Sequence, residues 1–588
     1  MNHAVYRGGT LWPILMAGLT AGLMSGLTLA ANAQAFTPPP ADPRPSRVVP
    51  PFHPLDLPKS DAEAARFLTM ATFGPTQADV TLLRQIGYSA WIRKQLQMPV
   101  TLQRPYVEQL DKAVQNPGQN DRMEVWFYNA ITAPDQLRQR MAWALSQIVV
   151  TSDQAGGLTQ DPIALAEYYD TLARDATGYV DANSVHHPST YANLLYDVTL
   201  SPAMAKMLSF LRNQKGDPSK GTSPDENYAR EVMQLFSIGL VLLNADGSPK
   251  LDANGQPIPT YNQTTITQYA KIFTGWSYTS GFNSNPANYS NWSTAEYAPM
   301  ICYDPYHDFG SKTLVSYTGN YGSGSDAIVI PANNPCATDL QQALATLSNH
   351  PNLAPFISKQ LIQRFTTSNP TPAYVARISA TFRASNGDLP QTVVAILLDP
   401  EAMSGTADAP GYVFGKAREP LLRLTALWRW YKAAASTGLY VYNNPQSAYS
   451  ERRLGSPTVF NFYLPSYQAP GEISDSGLLV SPELQVFNES TVAAMANDLT
   501  ARSNAYVGNS GNKAETIAID LSTLTAVAND PNALADQINH DLLYGTMSTA
   551  MKASLVKLIN TIPATSAITR AQAALQATLI SPEFTIQK

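Results

Sequence analysis

From Ser60 onward apolar positions recur at helical spacing, and the breaks between runs carry helix punctuation. Ser60 stands three residues before Glu63 and opens DAEAARFLTMATFG, which sets Ala64, Phe67, Leu68 and Ala71 on one face and stops at Gly74-Pro75. Amphipathic runs over 77–86 and 89–96 follow, then 136–150, apolar enough to be buried on most sides. The pattern continues over 162–173, 191–200, 202–212 and 264–274, and resumes over 337–347, 352–365, 373–384, 389–398 and 416–434. It closes the chain at 490–501, 531–543, 548–560 and 568–579. Strand-like alternation is scarce and no fixed-period repeat occurs. The pattern therefore predicts a mainly α, multi-helical globular unit over residues 60–588, with long irregular aromatic-rich loops. The longest are 277–334, rich in Ser, Asn, Gly and Tyr, and 440–483. Irregular segments of that length are usually functional or tied down covalently.

The first sixty residues are different. Arg7 precedes an uncharged apolar run over 11–30, and Ala31-Asn32-Ala33 or Ala33-Gln34-Ala35 supplies small residues at peptidase spacing. Residues 1–33 read as an export signal. The alternative, an uncleaved membrane anchor, is weakened by Pro13 and by glycines at 18, 22 and 26. Residues 34–59 are proline-rich and read as an extended tether. Export, to the periplasm or beyond the cell, makes a disulfide the expected state of Cys302 and Cys336, the two cysteines of the chain. The formal net charge of -6 argues against a nucleic-acid partner. No later stretch reaches eighteen uninterrupted apolar residues, so no integral membrane segment is expected after signal cleavage.

Only 14% of residues are charged, yet 225–240 (DENYAREVMQLFSIGL) packs Glu226, Asn227, Arg230 and Glu231 into little more than one turn. Read as a helix, it has Ser223 at N-cap, Pro224 at N1, Glu226 at N3 and Gly239 at its end. Tyr228, Val232, Leu235 and Phe236 face inward, and Asn227, Arg230, Glu231 and Gln234 share the other side. Two readings compete. In one, Glu226 caps the helix and Arg230 pairs with a carboxylate. In the other, Glu231 and Asn227 project into a pocket with Arg230 as clamp, an arrangement that can bind a metal, orient water or hold a sugar hydroxyl. The stretch HDFGSK places His307 in the long loop near Cys302, with Asp308 beside it and Lys312 five residues on. Such a histidine suits acid–base work, and a surface histidine beside a disulfide is the plain alternative. Adjacent histidines such as His186-His187 point apart and make a poor metal pair. H-E-x-x-H, G-x-S-x-G, Walker and dinucleotide motifs are all missing, so no cofactor is indicated and metal content stays open. Trp276, Tyr278, Trp292, Tyr297, Tyr303, Tyr306, Tyr463 and Tyr467 lie in loops, where they stack on sugars or pack on their own chain.

Taken in order, several stretches resemble a bacterial family of exported proteins, domain of unknown function 1800. They are RFLTMATFGPT (66–76), the 225–240 segment, AKIFTGWS (270–277), HDFGSK (307–312) and ISKQLIQRFTTSNPTPAYVARI (357–378). GKAREPLLRL (415–424), SPTVFNFYLPSYQAPG (456–471) and SPELQVFNE (481–489) complete the set. The resemblance implies a mainly helical, exported protein and no established reaction. Members are often encoded beside a second exported family similar to sulfatases and phosphatases, which makes a sulfatase-like exported protein the implied partner. The chain departs from the family at 141–152 (MAWALSQIVVTS). Ser146 and Ile148 stand where many members have the histidines of W-H-x-H-F, which puts a metal centre there in doubt. Two functions are expected. The first is a hydrolase of an envelope or extracellular polymer, with Glu231 or Glu226 as acid–base carboxylate, His307 as second proton carrier, and Arg230 and Lys312 as anion clamps. The second is a non-enzymatic envelope protein that binds a partner or glycan. Convergence of Glu231, His307, Lys312 and Arg418 at a pocket wall would favour the first. Arg230 and Glu419 buried and paired far from a cleft would favour the second.

Overall fold

The computed structural model describes residues 56–588 apart from 115–116, 182–183, 280–284, 292–295, 319–327, 443 and 504–514. The export signal, nearly all of the tether and Trp292 lie outside the described residues.

The helix Gln136–Ser146 runs through the middle of the protein with every side chain buried, charged ones included. Burial is tolerated because most of its polar groups find internal partners, Arg140 Nε and Nη1 being exceptions among the described residues. Arg138 donates to the carbonyls of Ala173 and Gly178 at 3.1 and 2.9 Å, and Gln139 to that of Thr101 at 2.9 Å. The helix Pro162–Thr177 packs along it. Helical pairs Leu353–Phe365 with Pro372–Ala384, and Pro531–Leu542 with Thr549–Asn560, are further layers. Buried apolar side chains from Ala64 to Phe584 join one contiguous core, with a small satellite at Val107, Val125 and Ala166. Among the described residues strands are confined to short antiparallel pairs such as Lys312–Thr313 with Val329–Ile330, and Lys416–Ala417 with Ile586–Gln587. The fold is mainly α and multi-helical. No helix among the described residues is long and apolar enough to cross a membrane.

Several boundaries differ from the periodicity, each for a tertiary reason. Helices Arg104–Val114 and Gln119–Thr132 were not predicted, because the second carries its apolar residues as a block, MEVWF, and not as a stripe. The run 136–150 stops at Ser146, where the chain turns to line a cleft described below. Pro202–Met207 ends early because Ser209 and Arg212 take positive φ (61° and 63°). The central helix is Asn227–Gln234, so the capping box built on Ser223 and Pro224 is corrected. Glu226 is the N-cap residue but makes no side-chain cap, and Asp225 Oδ1 accepts from Asn227 N at 2.8 Å instead. At the other end Gly239 adopts φ 70°, and its N–H donates to Met233 O at 3.0 Å. At Gly74 the φ of 121° and close packing coincide: a Cβ there would lie 2.5 Å from Ala426 Cα.

Candidate functional site

The residues singled out by charge do not gather at one site. Glu226 lies at the surface, where it accepts from Gln263 Nε2 at 2.7 Å and Thr267 Oγ1 at 2.8 Å and faces Arg230 at 3.5 Å. Asn227 is exposed. Glu231 is buried at 6% exposure, its Oε2 without a hydrogen-bond partner among the described residues. Burial raises its pKa, with Arg230 opposing. His307 and Lys312 do come together, but in a sealed position. Both approach Asp339 Oδ2, at 3.1 and 2.6 Å, and all three side chains are 0–1% exposed. Burial works to raise the Asp339 carboxyl, yet the bonds from His307 and Lys312 outweigh it and hold it below its ordinary value. His307 is thus a core residue and not a surface histidine. Arg418 is elsewhere, its guanidinium 4.8 Å from the Phe584 ring centre. His187 pairs with Asp181 and stacks on Tyr179, while His186 is exposed. Tyr278, Tyr303 and Tyr463 are buried against their own chain. Cys302 and Cys336 face each other with Cα atoms 6.1 Å apart.

A cleft of about 490 Å³ opens on another part of the molecule. Its first wall is the helix Leu353–Phe365, which contributes Phe356, Lys359, Gln360, Gln363 and Arg364. Its second is the irregular segment 459–466, which contributes Phe460, Asn461, Tyr463 and Leu464. Gln147, Ile148 and Val150 follow from the end of the central buried helix, and Gln234, Leu235 and Leu240 from the end of the 227–234 helix. Buried amides hold these walls. Asn352 Nδ2 donates to Ile238 O and Val241 O at 2.9 and 2.7 Å, while its Oδ1 accepts from Leu243 N at 2.8 Å. Gln363 Nε2 donates to Pro465 O at 3.1 Å. Of the two positions in 141–152 singled out in the sequence, Ile148 lines the cleft and Ser146 turns away to the Trp143 carbonyl.

Charged groups lie immediately beneath. Glu419, 0% exposed, accepts from Trp143 Nε1 at 2.5 Å and Gln147 Nε2 at 2.7 Å, with Lys416 Nζ at 3.4 Å and Arg140 at 3.5 Å. Burial pushes its pKa up, but Lys416, Arg140 and Arg364 more than reverse this and leave it lowered. Lys416 also pairs with Glu483 at 2.9 Å. Glu451, fully buried near these carboxylates, has its pKa driven well above the ordinary range by burial and then by Glu419 and Glu483. Gln147 Oε1 accepts from Tyr463 Oη at 3.0 Å, so one hydrogen-bonded chain leads from the cleft wall to Glu419. Arg230 is not buried; Glu419 is, and its site is directly under the cleft.

A helical protein with an apolar-walled, basic cleft is the class these features define. The chain matches the model for the protein family of unknown function DUF1800 over residues 66–586, and it belongs to that family. No curated protein and no solved structure matches it. The cleft is where three of the stretches carrying the resemblance meet, 225–240, 357–378 and 456–471, together with 141–152, the stretch that departs from it. Gln147, Gln363, Arg364, Asn461 and Glu451 were not picked out from the sequence. Polar residues at inward positions of apolar helices, Gln363 and Arg364 above all, were the available signal.

Proposed function

We propose that this protein is an exported, non-enzymatic envelope protein that holds an apolar segment of a partner protein in this cleft. The lining carries the proposal. A hydrolase needs a wall group that gives or takes a proton near neutral pH, and the described lining residues include no carboxylate, imidazole or thiol. They offer the Arg364 guanidinium, the Lys359 ammonium whose pKa burial lowers, amides, the Ser466 hydroxyl and a phenol whose pKa burial pushes far up. At the rim Leu240, Phe460 and Leu464 remain 56%, 43% and 39% exposed, apolar surface of the kind that marks interaction sites. Walls that are mostly aliphatic, with Phe356 and Phe460 among them, favour peptide over glycan, since sugars stack on open polar-edged ring faces and the Tyr463 ring is covered by Arg364 at 4.6 Å. The sulfatase-like exported protein implied by the resemblance is a candidate source of the segment. In this reading residues 1–33 direct export and residues 60–588 act as one unit around the shared core. Cys302 and Cys336, at bridging distance, form a disulfide once exported.

Titration of the full-length protein with short apolar peptides, with neutral and acidic glycans, and with chromogenic ester, phosphate and glycoside substrates tests this. The expected result is saturable peptide binding, weakened by Leu240→Asp, with no turnover. Turnover that Glu231→Gln abolishes at unchanged melting temperature would restore the hydrolase. Failure of every peptide to bind would end the proposal.

A further inference from the structure

The cleft floor holds polar groups that the fold leaves unused. Arg364 is 2% exposed, lines the cleft, and makes no side-chain hydrogen bond among the described residues; its Nε and Nη1 are both buried without a partner. Asn461, 6% exposed, has neither its Nδ2 nor its Oδ1 bonded, and Gln360 Nε2 is also buried and unpaired. All three residues line the same cavity. A buried donor without a partner is costly, more so when charged, so several of them gathered at one cavity favour an occupant that brings acceptors. The imbalance has a sign. The unpartnered atoms are four donors, Arg364 Nε and Nη1, Asn461 Nδ2 and Gln360 Nε2, against the single acceptor Asn461 Oδ1. Cations are close beneath as well: Arg140, Arg364 and Lys416 act on Glu419, and Lys416 also pairs with Glu483 at 2.9 Å.

Building on the peptide-binding reading, we infer that Arg364, Asn461 and Gln360 form a carboxylate subsite that takes the C-terminus of the partner's apolar segment. A guanidinium presents two parallel donors to the two oxygens of a carboxylate, and the amides complete the cradle. Arg364 is nearly enclosed, so the carboxylate reaches it from the cleft side, and a chain terminus is the occupant that also lays apolar residues along the walls above. The apolar walls above then receive the residues that precede it.

The test uses the full-length protein and one apolar peptide in two forms, free acid and C-terminal amide, followed by calorimetry. The free acid should bind about 10- to 100-fold more tightly, as a charge-assisted pair predicts. Arg364→Gln should remove the preference. Because Arg364 also acts on Glu419, Asn461→Gly is the second variant: it keeps the left-handed backbone at φ 68° and deletes only the amide. It should narrow the difference at unchanged melting temperature. Equal binding of both forms would overturn the subsite while leaving the cleft reading intact, whereas binding of neither would remove the cleft reading itself. Arg364-dependent binding of laurate with no peptide bound would reassign the floor to acyl carboxylates and overturn the peptide terminus.

Discussion

Replacing Asp339 by Asn tests whether the His307–Lys312 pair is architectural. Asp339 stands in the first turn of the helix Cys336–Ser348, and its Oδ2 lies 2.6 Å from Lys312 Nζ and 3.1 Å from His307 Nε2. Lys312 is 1% exposed, and its other partners are the carbonyls of Asp308 and Gly310. An amide keeps the shape and removes the charge, which strands a buried ammonium. Breaking a buried pair from one side costs about 3–5 kcal/mol, far above the roughly 0–1 kcal/mol of a surface bridge. The folding equilibrium should therefore fall by two to four powers of ten. Urea unfolding followed by circular dichroism measures this as a lower midpoint at unchanged slope. The double replacement Asp339→Leu with Lys312→Met removes both charges and should recover more than half of the loss. A cost under about 1 kcal/mol for Asp339→Asn would refute the reasoning, since a carboxylate that neutralises a sealed lysine cannot be removed so cheaply.

Three other outcomes follow from the same physics. Burial, opposed by the Ser316 carbonyl, lowers His350 to about 4, and its Nδ1 accepts from Asn352 N at 3.0 Å. The folded form thus resists the proton; this stability is present above the ordinary histidine pKa and is lost as pH falls from 6.5 through about 4. It amounts to roughly 3 kcal/mol, and His350→Asn should flatten that part of a pH–stability curve. Glu451 has the opposite sign: its raised pKa costs stability as pH climbs above the ordinary carboxylate range, so Glu451→Gln should remove that decline when urea midpoints are compared from pH 5 to 9. Gly74→Ala should lower stability by roughly 2 kcal/mol or more, read as a lower melting temperature, because the new Cβ meets backbone at 2.5 Å and φ is 121°.

Most helices and the fold class are legible in the residue pattern, because a 3.6-residue stripe and a capping residue act within a few turns of chain. Ser60 does accept from Glu63 N at 3.2 Å, and Gly239 does end the central helix. Helix Gln119–Thr132 escaped because its apolar block is explained only by neighbours on several sides. What the charges do was decided by the tertiary structure alone. A run such as 225–240 draws attention through density, but density does not say whether a carboxylate meets water, a guanidinium or a lysine brought from far along the chain. Glu226 stayed at the surface, His307 was sealed against Asp339, and Arg364, in an ordinary-looking KQLIQRF, was buried with its donors unmet. Local periodicity fixes which residues form a helix; only the packing of distant helices fixes which polar atoms lose their water and which find a partner in exchange.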